Sequence, residues 1–431
     1  ITKALSYKWR THAVGLCGTP LLMHFGSAFA IVGIHTAGSA ECHSSFAQAV
    51  NLKEIQSALK VVRKTSCLMP VNSECLLRLP VEVTGIGALD ERSPLRYESV
   101  PGLSVYGGLE GRKTMKLGKS RLRSSKFIHH AEKLTGVSAF DEEGKPRYGP
   151  PPFIGGYIAP DVYAGPYNYF VKKAGVVKKS LDPKILRIAT KLVSKHLIDG
   201  LRSRGVTRLA PVPLNVAQNG HPEDFYMRAM RPSTSGGRPW PGAKKKYSLA
   251  CRLDFKADAY VPLFDIKEQV AETLDAYSRF EDAGPLLGAQ LKDEPRPFYK
   301  IKDRKTRVFC MSPYEATLVN RMYLMPFYTL MVEHGDLFGA AIGINMHSTD
   351  VDELVSRMKS FSALFMEGDY GGFDTSMPYD IGLSANTVAY NVLEEFGYNE
   401  YSLGMVRGIF SDNMYPTVVM RGDIFAAPSL Q

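Results

Sequence analysis

Long apolar runs are missing from this chain of 431 residues. A helix that crosses a bilayer needs roughly 20 consecutive apolar residues. The longest run near the start, Ala28 to Ile34, has only the length of a buried strand. Cysteine is sparse: six in the whole chain make no disulfide framework and point to a reducing compartment. Cys42, His43, Cys67 and Cys75 lack the C-x-x-C spacing of a zinc site. No internal repeat and no secretory signal pattern occurs. Gly118-Lys119-Ser120 lacks the leading glycine of a phosphate-binding loop, and Gly85-Ile86-Gly87 lacks the third glycine of a dinucleotide fingerprint. Acidic residues are in deficit, 43 against 53 Lys and Arg, and the net charge of +10 favours a polyanionic partner.

With 45% hydrophobic residues the chain can bury more than one core, so two or three domains are expected. The chain opens on Ile1 rather than Met and stops at Gln431 among apolar residues, which reads as a piece of a longer polypeptide. Residues 1–65 read as short strands (Ala13 to Met23, Ala28 to His35) closed by a helical pattern from Val50 to Lys64. Residues 66–104 are punctuated by Pro and Gly and read as a connector. Residues 105–431 mix helices and strands. They begin with a basic stretch from Arg112 to His130, and a helix is expected from Asp182, with Asp182 as cap and Pro183 in the first turn.

Two constellations carry chemistry. In the first, Gly15-Leu16-Cys17-Gly18 sets a cysteine in a glycine-flanked turn, where successive backbone amides can point at one oxyanion. Gly33-Ile34-His35-Thr36-Ala37-Gly38 then places a histidine at the end of an apolar strand. This ordered pair resembles the chymotrypsin-like cysteine proteases of picornavirus-like viruses. The resemblance implies a partial all-β barrel. It makes Cys17 the nucleophile, Gly15, Leu16 and Cys17 the oxyanion hole, and His35 and Thr11 the residues that recognise a substrate glutamine at polyprotein cleavage sites. The family's catalytic histidine and acid lie upstream, so no protease activity is expected of these residues alone.

The second constellation runs through four stretches. Ser233-Thr234-Ser235-Gly236-Gly237 precedes Lys244-Lys245-Lys246, and small residues let a nucleic-acid backbone approach closely. Lys292-Asp293-Glu294-Pro295-Arg296, then Lys300, Lys305 and Arg307, concentrate cations ahead of an apolar helical stretch from Tyr314 to Tyr328. Ile342-Gly343-Ile344-Asn345 follows. Finally, an apolar strand expected from Phe361 ends at Asp369, with Asp374 after a Gly371-Gly372 turn. Carboxylates at a strand end suit Mg²⁺, a hard cation.

In this order the stretches resemble the RNA-dependent RNA polymerases of picornavirus-like viruses (Picornavirales, of dicistrovirus or marine RNA virus type). The resemblance implies a multidomain chain: the protease barrel, then an α+β right-hand polymerase comprising fingers and the beginning of the palm. It makes Asp369 the catalytic ligand of Mg²⁺ (or Mn²⁺) and Asp374 a reader of the ribose 2′-hydroxyl. Lys292, Arg296, Lys300, Lys305 and Arg307 would bind the nucleoside triphosphate, Arg307 foremost. Thr234, Ser235 and Gly236 would line the template entry. The implied partners are a single-stranded RNA template, an RNA primer or product, and nucleoside triphosphates, in a replication complex in the host-cell cytoplasm.

A reverse transcriptase would place a bulky residue where Asp374 stands, and a purely structural RNA-binding protein would not need the ordered motifs. The family's Ser-Gly of motif B and Gly-Asp-Asp of motif C do not occur, since Gly422-Asp423 is followed by Ile424. One palm aspartate cannot hold two metal ions for an in-line transfer, so these residues alone are not expected to polymerise RNA. The coding sequence downstream of Gln431 is expected to continue with Ser-Gly and, some tens of residues later, Gly-Asp-Asp. Reading the transcript checks this, and an open frame without Gly-Asp-Asp would overturn it.

Overall fold

The computed structural model describes residues 4–8, 20–25, 28–39, 44–49, 53, 86–90, 93–97, 100, 102–109, 120–123, 125–151, 166–176, 178–254, 256–303 and 305–426. The chain divides into two compact units, Ile1–Ser66 and Cys67–Gln431.

In the first unit, β1 (Ala4–Lys8), β2 (Pro20–Phe25), β3 (Ala28–Ser39) and β4 (Ser44–Ala49) form one antiparallel sheet in the order β1-β4-β3-β2. His35 lies on β3 opposite Ala47, beside a register shift that ends at Ala37. Thr11, Gly15, Leu16 and Cys17 lie outside the described residues, as does the helical pattern from Val50 to Lys64 apart from Lys53.

The second unit is a mixed α/β body. Its main sheet contains β5 (Ile86–Gly87), β6 (Ser104–Leu109), β9 (Leu286–Leu291), β10 (Val308–Met311), β11 (Thr417–Met420) and β12 (Asp423–Ala426), in the order β10-β9-β11-β12-β6-β5. Only β9 and β11 run parallel. A separate hairpin pairs β7 (Ser248–Leu253) with β8 (Lys256–Pro262). The principal helices are α1 (Pro166–Ala174), α2 (Pro183–Ser203), α3 (Phe264–Ser278), α4 (Tyr314–Glu333), α5 (Thr349–Phe361), α6 (Tyr379–Glu395) and α7 (Glu400–Met414).

Local chemistry explains several boundaries. Asp182 caps α2 by accepting from the Lys184 N–H at 2.8 Å, and Pro183 opens the helix where a missing N–H costs nothing. α4 is mostly apolar, as a largely buried helix must be, and places Tyr314, Leu318, Val319 and Leu324 in the main core. α2, α3, α6 and α7 close around it. Asn391 of α6 donates to the Ser194 hydroxyl of α2 at 3.0 Å, and Arg202 pairs with Glu395. β11 and β12 are joined through Arg421 (φ 53°) and Gly422 (φ 91°), a two-residue turn whose left-handed pair matches the strand twist.

Two features differ from what the sequence suggests locally. Part of the stretch read as a connector folds with the second unit: β5 pairs with β6, Leu95 is buried in the core beneath the sheet, and Ser93 donates to the fully buried Asp423 at 2.6 Å. The apolar run Phe361 to Met366 is no strand. A strand exists only where a neighbour takes its backbone hydrogen bonds, and no described residue pairs with this run. Phe361, Leu364 and Met366 consequently stand 94%, 88% and 99% exposed.

One buried acid couples this body to pH. Asp412 of α7 accepts from the Tyr277 hydroxyl of α3 at 2.6 Å and from the Gly284 N–H at 3.2 Å. Burial, reinforced by the charge of Asp282, pushes its carboxyl up to about 7. Between its ordinary value of 3.8 and about 7 the folded chain keeps a proton that the unfolded chain has lost. The stabilisation is thus complete at low pH and is lost as pH rises through this window, by at most ~1.4 kcal/mol per pH unit. Asp412→Asn keeps the acceptor and removes the titration. Urea midpoints measured from acid to neutral pH should fall more steeply for the parent than for Asp412→Asn. Parallel curves would refute the coupling.

Candidate nucleotide-binding and template-binding site

β10 is the element on which the candidate residues converge. It pairs antiparallel with β9, Leu291 opposite Val308, and residues 292–307 form the long excursion between the two strands. The excursion is closed at its base by the Lys292 N–H donating to the Arg307 carbonyl at 2.8 Å. Glu294 sits inside and gathers three cations: Lys292 at 3.1 Å, Arg296 at 3.3 Å and Arg307 at 3.4 Å. One carboxylate against three cations leaves a positive surplus, which suits a polyphosphate.

The five candidate cations are not equivalent. Arg307 and Lys292 keep 59% and 46% of their side chains exposed, whereas Arg296 keeps 14% and its Nε is buried without a partner among the described residues. Lys305 pairs with Asp303 at 2.8 Å. Lys300 lies over the Tyr299 ring, 5.6 Å from its centroid. Asp293 takes no part in the cation cluster. Its carboxylate accepts from the Ser120 hydroxyl at 2.5 Å and the Arg121 N–H at 2.8 Å, and so fastens the middle of the basic stretch to the excursion.

The other end of β10 meets the loop that carries the candidate residues Thr234, Ser235 and Gly236. A Cβ on Gly237 (φ +77°) would lie 2.6 Å from the Ser312 carbonyl, just past β10, so the loop passes too close to admit a side chain. Trp240 donates from Nε1 to Glu315 of α4 at 2.6 Å. Lys244, the first of three consecutive lysines, is buried: Nζ donates to the Thr234 hydroxyl at 3.0 Å and the Ser235 carbonyl at 2.6 Å. Burial lowers its pKa. Lys244 is therefore a brace inside the loop, while Thr234, Ser235, Lys245 and Lys246 face outward and Gly236 is buried.

Asp374 lies exposed in a helical turn, Phe373–Ser376, and its charge adds to the burial that pushes the Cys310 thiol of β10 up to about 11. The turn before it is fixed by Gly372 (φ +69°), where a Cβ would come within 2.9 Å of Lys173 Nζ. Lys173, on α1, also lies over the Tyr169 ring at 5.0 Å. This lysine is a further cation beside the aspartate turn that the sequence analysis does not single out. Its only local signal is a Tyr-Lys pair one helical turn apart. Asp369 is exposed in an irregular segment. No group of three or more His, Cys, Asp or Glu among the described residues could hold a metal ion. Asp369 nevertheless offers the right kind of donor, because Mg²⁺ takes one or two carboxylates and completes its shell with water and substrate phosphate.

Residues 205–386, which span the template-side loop, the cation excursion and both aspartates, match the family of viral RNA-dependent RNA polymerases. The chain is 23% identical over 359 residues to the replicase polyprotein of Cricket paralysis virus, covering 80% of this chain and 19% of that polyprotein. It is 24% identical over 369 residues to the RNA1 polyprotein of Red clover mottle virus, covering 83% of this chain and 18% of the relative. The chain thus spans about a fifth of the length of these relatives. Among solved structures it is similar to a sicinivirus 3Dpol RNA-dependent RNA polymerase, with a TM-score of 0.48 and 17% identity over 60% of this chain and 50% of that one. Residues 205–386 thus match the viral RNA-dependent RNA polymerase family, and most of the chain is similar to picornavirus-like replicase polyproteins.

Proposed function

We propose that the second unit binds the nucleoside triphosphate and the template in RNA-directed RNA synthesis, and that the first unit is the C-terminal part of the polyprotein-processing cysteine protease. The observation that supports the polymerase reading is the arrangement about β10: exposed cations on the excursion before it and a closely packed glycine-bearing loop just past it, with the charge of Asp374 acting on Cys310 of the strand.

In this reading Arg307 and Lys292 neutralise the triphosphate, and Glu294 keeps them close together without repulsion. Arg296 braces the cluster from within, and Lys300 and Lys305 lie at its margin. Asp374 accepts from the ribose 2′-hydroxyl, the group that separates RNA precursors from DNA precursors. Thr234, Ser235 and Gly236 bound the path of the template backbone, with a primer or product strand beyond. Asp369 would hold Mg²⁺ (or Mn²⁺) together with phosphate oxygens. The ion supplies charge neutralisation at the attacking and leaving oxygens.

In the first unit Cys17 would attack the scissile carbonyl while the amides of Gly15, Leu16 and Cys17 hold the oxyanion. His35 and Thr11 would recognise glutamine at viral polyprotein cleavage sites. Both activities would serve replication in the host-cell cytoplasm.

RNA binding should be independent of sequence and should weaken steeply with salt, because phosphate contacts release counterions. Replacing Lys245 and Lys246 by Gln should lower the salt slope by about 1.4, the value for two contacts to a single strand. A filter-binding titration at several salt concentrations checks this, and an unchanged slope would remove these lysines from the template path.

The palm residues separate by readout in an active replicase that carries them. Asp369→Ala should abolish incorporation. Asp374→Ala should keep incorporation and narrow the preference for ribonucleotides over deoxyribonucleotides. Single-nucleotide extension measures both, and unchanged sugar discrimination in Asp374→Ala would contradict its assignment.

A further inference from the structure

α2 has three faces. At ~100° per residue, Leu186, Thr190, Ser194, Leu197 and Leu201 fall on one arc, and its C-terminal members are the buried ones that face α6. Next to it runs a stripe of cations: Lys184, Arg187, Lys191 and Lys195. The remaining arc is open to solvent and aliphatic over its N-terminal half, where Ile185 is 64% exposed, Ile188 61%, Leu192 61% and Val193 46%, and it carries the exposed His196 and Asp199 farther on. No acidic residue occurs from Pro183 to Ile198. Lys195 pairs with Asp199, while Lys184, Arg187 and Lys191 form no ion pair among the described residues.

Each half of this surface excludes a different partner. RNA would satisfy the cations but has no aliphatic surface to cover Ile185, Ile188 and Leu192. An apolar protein face would cover the aliphatics and leave the cations beside it unmatched. A convex helix flank with an apolar stripe and a parallel cation stripe fits a plane whose headgroups are anionic and whose interior is hydrocarbon.

We propose that the outer face of α2 docks on an anionic lipid surface. The aliphatic stripe would enter the headgroup boundary while the cations lie against phosphates and carboxylates. The proposal does not depend on the polymerase reading, because none of these residues belongs to the candidate nucleotide or template site.

Co-sedimentation of the full chain with phosphatidylcholine vesicles, with and without phosphatidylserine, tests it. Binding should require phosphatidylserine and fall with salt. Ile188→Gln with Leu192→Gln should weaken binding by about tenfold or more at every salt concentration. Lys184→Gln, Arg187→Gln and Lys191→Gln should each cost about fivefold at low salt and less at high salt. These side chains are exposed, so the thermal midpoint and the affinity for single-stranded RNA should stay unchanged in the aliphatic variant. The proposal is overturned if the parent ignores phosphatidylserine vesicles or if the aliphatic variant binds them as the parent does. It is equally overturned if sedimentation velocity shows the parent self-associating through this face and the aliphatic variant monomeric.

Discussion

Like charges repel, and residues 292–307 have to hold several cations together between two paired strands. Backbone pairing of β9 with β10 fixes the two ends of the excursion, and the bond from the Lys292 amide to the Arg307 carbonyl closes its base. Glu294 then sits among three of the cations and offsets part of their repulsion. Exposed ion pairs contribute little stability individually. Their effect here is positional, because they hold Lys292 and Arg307 side by side with donors still open to solvent. The rest of the candidate site depends on this hairpin, since the strand that returns from it leads into α4, whose Glu315 holds Trp240 of the 233–246 loop.

Buried polar groups do the fastening. Glu315 holds Trp240, Lys244 holds Thr234 and Ser235, and Asp423 holds Ser93. In each pair a group that would be costly to bury alone has a partner distant in the chain or across a loop. The loops around β10 are therefore preset rather than free, which suits surfaces that must meet a substrate without first being ordered.

Local signals were the legible ones. The Asp182-Pro183 start of α2 and the apolar stretch of α4 each depend on residues within one or two turns of chain, and each is present. The cation stretch was legible as composition, although its division into exposed Arg307 and enclosed Arg296 depends on Glu294 and on packing. Pairing across the chain was not legible. The run ending at Asp369 has the apolar pattern of a strand, but pattern supplies no partner. Lys244 resembles its neighbours Lys245 and Lys246 in sequence and differs from them only by being enclosed. Lys173 belongs to a helix far from the aspartates in sequence, and only the fold brings it to Gly372.

The central claim is that the surface around β10 receives the nucleoside triphosphate. Photocross-linking with an azido-substituted nucleoside triphosphate, followed by peptide mapping, tests it most directly. The account predicts adducts confined to the 292–307 excursion, β10 and the 369–376 segment, suppressed by unmodified triphosphate and weakened by Arg307→Ala. Adducts that map elsewhere, or that persist unchanged in Arg307→Ala, would contradict it.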